Sequence, residues 1–166
     1  MSHHVEVAGA DDFLAVAALD RMAWDAGVSV ADGEHTWRVW CEHATVLLVR
    51  WPKNPDPDPD PDHDGADPTP AVAAALVLFP TQAPDGGLFL HKIMVAPEWR
   101  GRGMGTALMA AAVARAQTPV MLTVAPGNQA AVGLYQRYGF AVERYIENYY
   151  GPHKHRYLMI YRPNGT

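Results

Sequence analysis

Apolar positions along the chain switch between two spacings, and the switches mark out its elements. Val5 to Ala8 predicts a short first strand. Leu14, Ala17, Ala18, Leu19 and Met22 then recur at helical intervals, with Asp11 and Asp12 as N-cap candidates. Asp32 to His43 predicts a second helix that carries Trp37 and Trp40 on one face. Thr45–Trp51, Ala71–Phe79 and Leu88–Val95 are apolar runs bounded by turn residues, as buried strands are, and Pro97 marks the exit of the third. Thr106 to Ala114 has the Ala, Leu and Met content of a good helix former. Val120–Val124 predicts another strand, followed by a helix with Asn128 as its N-cap and Gly139 as its terminator. Phe140 starts the next strand, and Ala141–Ile146 and Tyr157–Arg162 are the last two. An antiparallel meander with one crossover predicts an α/β sandwich with a mixed sheet. The 166 residues suffice for one domain with a sizeable core and are too few for two, so residues 1–166 read as a single domain.

One segment breaks the pattern. Pro52 to Pro70 is built around the repeat Pro55-Asp56-Pro57-Asp58-Pro59-Asp60-Pro61-Asp62. Proline removes backbone donors and aspartate repels aspartate, so residues 52–70 predict an extended, exposed and disordered loop inside the domain. Its aspartates and His63 carry donors suited to Ca²⁺ or Zn²⁺, but the prolines interrupt the wrapping such an ion requires, and no metal is expected. Six aspartates against one lysine in this loop account for the whole formal charge of −5. The remainder has no basic excess, which argues against nucleic acid as a partner. The longest apolar run, Ala71 to Phe79, is too short to span a bilayer, and the N-terminus lacks a basic stretch followed by an apolar one. A single cysteine, Cys41, excludes an internal disulfide and suits a reducing cytoplasmic setting. Beside Trp37 and Trp40 it reads as a packed core thiol, with a nucleophile as the alternative.

The chemistry concentrates after the Leu88–Val95 strand. Arg100-Gly101-Arg102-Gly103-Met104-Gly105 joins that strand to an apolar helix. Three glycines at such a junction leave main-chain N–H groups uncovered, and the helix start adds partial positive charge, so the turn suits a phosphate. Arg100 and Arg102 add full charges. Two better-known phosphate loops are excluded by spacing. A Walker loop needs a Gly-Lys-Ser/Thr ending, and the turn holds no lysine; the third glycine of a dinucleotide fingerprint falls on Thr106 or Leu108.

The pattern that fits is Arg-x-x-Gly-x-Gly, at Arg100, Gly103 and Gly105. Asn128, Ala131, Leu134, Tyr135, Gly139 and Phe140 match a second pattern, Asn-x-x-Ala-x-x-Leu-Tyr-x-x-x-Gly-Phe. In this order and separation, the two resemble the cofactor motifs of the GNAT N-acetyltransferase superfamily, strongly over residues 71–162 and loosely over residues 1–51. The resemblance implies a mixed, mostly antiparallel sheet flanked by helices on both faces. It also implies acetyl-CoA as co-substrate. Met94, Val95 and neighbouring main chain would pair with the pantetheine arm, the amides of Arg100, Gly101, Arg102, Gly103, Met104, Gly105 and Thr106 would receive the pyrophosphate, and Asn128 would sit beside the arm. Tyr135 would lie near the thioester sulfur, where a phenol can protonate or hydrogen-bond the departing thiolate.

Such a site supports direct attack by a neutral primary amine, with a main-chain N–H around Ile93–Val95 as donor to the carbonyl oxygen. Some relatives carry a glutamate base where this chain has Thr123. Others place an acid on the strand before the loop, where this chain has His91, a residue type suited to the task near neutrality. Glu98 reads as solvent-facing, and a water chain without a dedicated base is the alternative. Asn148-Tyr149-Tyr150 and the following strand are similar to the substrate hairpin of N-terminal protein acetyltransferases, with Tyr149 and Tyr150 as peptide-binding residues. His153, Lys154, His155 and Arg156 replace the acidic residues common there, which would favour an acidic peptide or anionic small molecule unless they form only a solvated tip. The acceptor is thus a peptide or protein N-terminus or a small-molecule amine, and a non-catalytic acetyl-CoA sensor is the competing class. Trp24, Trp37 and Trp40 would line an acceptor pocket, a subunit contact or the core. Monomer and homodimer both remain open.

Overall fold

Val72 to Leu78 is apolar without interruption because both of its faces are covered. The computed structural model describes residues 3–24, 31–51, 71–82 and 86–163; the Pro/Asp loop at 52–70 lies outside them. Strand β1 is Glu6–Val7, followed by helices α1 (Phe13–Ala23) and α2 (Glu34–His43). Strands β2 (Thr45–Trp51), β3 (Ala71–Pro80) and β4 (Leu88–Val95) form the meander. Helix α3 (Met104–Arg115), β5 (Val120–Val124), α4 (Gln129–Arg137), β6 (Ala141–Ile146) and β7 (Arg156–Tyr161) complete the chain. The sheet runs in the order β1-β2-β3-β4-β5-β7-β6, and only β4 and β5 are parallel. This is the expected α/β fold, one mixed, mostly antiparallel sheet with helices on both faces.

Two apolar clusters cover the two faces. Leu47, Leu76 and Leu90 join Leu108 and Met109 of α3 and Val132 and Tyr135 of α4. Val46, Leu48, Val77 and Met94 join Val16 and Leu19 of α1 and Trp37 and Cys41 of α2. Trp37 is therefore a core residue, and Trp40 meets it edge-on at 4.8 Å. Among the described residues no helix is long and apolar enough to cross a membrane.

Helix starts differ from expectation because tertiary partners claim the capping groups. Asp12 occupies the α1 cap position without making a side-chain cap bond. Its carboxylate instead accepts from Gly9 N at 2.8 Å and from Arg50 Nη2 at 2.6 Å. Helix α2 opens at Glu34, not Asp32, because Asp32 is held by Asp20 and Lys92. Strand β1 keeps only two residues, with Val7 exposed. Strand β7 lies one residue earlier than predicted, and Arg162 beyond it pairs with Glu143. Phe140 packs against Tyr135 and Tyr161 and precedes β6 instead of opening it.

Cys41 is buried, and burial, with a smaller push from Asp12, raises its thiol to about 11. Two units above the usual value leaves roughly a hundredfold less thiolate near neutrality. Alkylation by iodoacetamide at pH 7.5 should therefore run at least tenfold slower than for glutathione; an equal rate would restore the nucleophile reading.

Candidate functional site

The site begins with an extra residue. Val77 pairs with Lys92 and Leu78 with Leu90, so His91 has no partner on β3 and forms a bulge. Alternation breaks there, and His91 and Lys92 both turn toward the α1/α2 face. His91 packs 5.1 Å from the Trp40 ring and 5.7 Å from Phe79, while Lys92 reaches Asp20 of α1. Pairing between β4 and β5 stops just before the bulge, at Leu88↔Val120 and Phe89↔Met121. Beyond it the strands part, and one main-chain edge of Leu90 to Val95 faces the gap.

The glycine turn stands at the mouth of that gap. A short 3-10 turn, Pro97–Trp99, leaves β4, and Gly101 and Gly103 take left-handed φ values of 75° and 83°. Side chains disfavour that region, which explains glycine at both positions. Gly103 is the N-cap of α3 and supplies no side-chain bond, so the first amides of the helix lack side-chain cover. A Cβ on Gly105 would lie at ordinary contact distances, 3.8 Å from Val95 Cγ2 and 4.0 Å from Leu134 Cδ2, so α3 at this point faces β4 and α4 across side-chain contacts. An open depression of about 610 Å³ lies along α3 beside the N-terminal segment, lined by His3, Gly103, Thr106 and Tyr138 among others and by no residue of β4 or β5.

The two arginines behave differently from expectation. Arg100 sends Nη2 to the carbonyl of Ala23 at 2.5 Å, at the C-terminus of α1, where a cation complements the helix dipole. Its charge is directed away from the turn. Arg102 lies over the Trp99 ring at 4.6 Å. Met94 and Met104 are buried, so any ligand contact from them is through main chain. Thr106 accepts a 2.7 Å bond from the Tyr138 hydroxyl at its carbonyl oxygen.

Asn128 caps α4 as read from the sequence, with Oδ1 accepting from Ala131 N at 3.2 Å. Gly139, at φ 83°, ends the helix. Tyr135 points inward, 6% exposed, and burial pushes its phenol up to about 12. His91 is held below the ordinary histidine range by packing among the rings and then by Lys92, against opposing pulls from Asp32 and Asp20. Tyr135 belongs to the α3/α4 face of the sheet and His91 to the α1/α2 face, where His91 is exposed beside Trp40 and Phe79. Tyr149 and Tyr150 stand on the β6–β7 hairpin, 43% and 55% exposed, and Arg156 lies 4.9 Å from the Tyr150 ring. That hairpin starts beside Val124, at the end of the sheet where the gap opens. Thr123 is half-buried in β5, and Glu98 is exposed.

Two features were missed in the sequence. Asp20, fully buried, accepts from Trp24 Nε1, Trp37 Nε1, Asp32 N and Lys92 Nζ. Lys92 also pairs with Asp32 at 2.5 Å. A lysine inside an apolar strand was the available signal, since a buried charge requires a partner. The other is His3, whose contact with the glycine turn has no local signal. Among the described residues no group of three or more His, Cys, Asp or Glu is placed to hold a metal ion.

Residues 34–140 match the acetyltransferase (GNAT) family. Among solved structures, Arabidopsis thaliana NAA60 in complex with a bisubstrate analogue is similar at TM-score 0.78 and 15% identity, over 98% of this chain and 100% of that one. The ribosomal-protein-S18-alanine N-acetyltransferase of Escherichia coli is similar at 0.72 and 18%, over 99% and 96%. Salmonella typhimurium yncA, with its cofactor acetyl-CoA, is similar at 0.75 and 14%, over 100% and 96%. No curated protein matches the sequence.

Proposed function

The chain belongs to the GNAT acetyltransferase family and is an acyltransferase, and from that premise we propose that it moves an acetyl group from acetyl-CoA to the terminal amine of a peptide by direct attack. The observation that carries this reading is the gap between β4 and β5, with uncovered amides at the start of α3 beyond the end of β4; Tyr135, in the cluster on the α3/α4 face, would lie beside it. The diphosphate would rest on the amides from Gly101 to Thr106, and the pantetheine arm would lie along the open edge of Ile93 to Val95. One main-chain N–H of that edge would receive charge developing on the carbonyl oxygen. Two exposed tyrosines on the adjoining hairpin support a peptide as acceptor over a small amine.

His91 is the base in this reading. Its lowered proton affinity keeps the imidazole neutral, hence able to accept a proton, on the acid side of the usual range. Tyr135 assists the leaving thiolate by hydrogen bonding and not by full proton transfer. Passing a proton from a phenol near 12 to a thiolate with an affinity near ~8.5 is uphill by about 5 kcal/mol.

The test is a thiol-release assay with acetyl-CoA and short peptides across pH. The wild-type rate should hold below pH ~6.5 before falling as His91 protonates, and Tyr135 should cause no decline below pH ~11. Tyr135→Phe should lower kcat ten- to a hundredfold with little change in KM for acetyl-CoA. His91→Ala should abolish the acid limb. Acetyl-CoA binding without thiol release from any amine would select the sensor class instead.

A further inference from the structure

The N-terminal segment reaches the glycine turn from 99 residues away. His3 Nε2 lies 2.6 Å from the carbonyl oxygen of Arg102 and donates to it. Arg102 sits between the two left-handed glycines, where the main chain has most freedom to rotate. In a trans peptide the carbonyl and the following N–H lie on opposite edges. A hydrogen bond that fixes the Arg102 carbonyl therefore also fixes the direction of the Gly103 N–H.

His3 is itself anchored. Its ring lies 6.4 Å from Trp51, Trp51 lies 4.6 Å from Trp99, and Trp99 carries the Arg102 guanidinium. Two residues later Val5 packs on the core, and Glu6 pairs with Arg50 and with Leu48 of β2. A short tether thus joins the turn to a strand at the edge of the sheet. His3 also borders both the 610 Å³ depression and a second one of about 440 Å³ beside Trp51 and Gly101.

We infer that His3 is a positioning residue for diphosphate binding: it holds the Arg102–Gly103 peptide so that its N–H points at the ligand. The inference rests on the acetyl-CoA reading above and adds to it a residue outside both cofactor motifs.

Calorimetric titration of CoA and of ADP, which carries the diphosphate without the pantetheine arm, tests it on wild type, His3→Ala and His3→Gln. Loss of one hydrogen bond that orders a binding amide is expected to weaken both ligands by about tenfold in His3→Ala. His3→Gln, which retains an N–H donor, should recover most of the loss. In kinetics the same tenfold should appear in KM for acetyl-CoA, with kcat at saturation and KM for the acceptor within twofold of wild type. Equal CoA affinity in wild type and His3→Ala overturns the inference and leaves the acetyl-CoA reading standing. A fall in kcat matching the rise in KM, or no recovery in His3→Gln, also overturns it. Wild type that binds neither ligand overturns both.

Discussion

Replacing Gly103 with valine should raise the dissociation constant for CoA at least a hundredfold while leaving the protein folded. At φ 83° a β-branched side chain is strongly disfavoured, so the turn must leave its left-handed conformation. The first added atom would meet His3 Nε2 at an ordinary 3.8 Å, so the backbone conformation and not space is what valine violates. Relaxation at Gly103 turns away more than one amide, because a diphosphate is held by several N–H groups at once. A hundredfold corresponds to about 2.7 kcal/mol, within reach of two or three lost hydrogen bonds to a charged ligand. Gly133→Ala is the control. Gly133 lies within α4 with no heavy atom inside 4 Å of an added Cβ, so alanine there should leave CoA affinity unchanged and add about 0.5–1 kcal/mol of stability. Titration and thermal melting measure both variants, and equal CoA affinity for wild type and Gly103→Val would remove the turn from ligand binding.

Lys92→Met should cost the fold more than any surface change. Asp20 is 0% exposed, and Lys92 is the cation that faces it among the described residues. Breaking a buried pair from one side typically costs about 3–5 kcal/mol, because the other charge stays in a medium that solvates it poorly. For a chain of this size that lowers Tm by roughly 6–20 °C. Asp20→Asn with Lys92→Met should recover only part of the loss. The amide oxygen can replace one acceptor but not the set that Trp24, Trp37 and the Asp32 N–H now share. Lys92→Met alone should also move the acid limb of the pH–rate curve upward. Lys92 holds His91 down while Asp20 and Asp32 pull the other way, so losing the cation makes His91 easier to protonate. A Tm within about 3 °C of wild type would mean that Asp20 is not held as a charge.

Strands and cofactor motifs were legible in the sequence because their determinants are local. Thr45–Trp51, Leu88–Val95, Val120–Val124 and Ala141–Ile146 fall where apolar runs meet turn residues. Asn128 and Gly139 cap α4 through bonds and dihedrals set within a few residues. Three other features depend on partners far along the chain and left no pattern to read. The bulge at His91 exists only in register with β3. Arg100 stands in the motif, yet its guanidinium goes to α1, 77 residues away. Asp12 reads as a helix cap and Asp32 as the start of a helix, but their carboxylates are taken by Arg50 and Lys92.

With pairing between β4 and β5 confined to its first two rungs, the sheet is a zip left half open. A slender molecule with amide groups along its length can supply the missing rungs and act as a temporary eighth strand. Filling that seam would extend the contact between two half-sheets that pair directly over only two rungs, so the bound protein should resist heat better than the empty one.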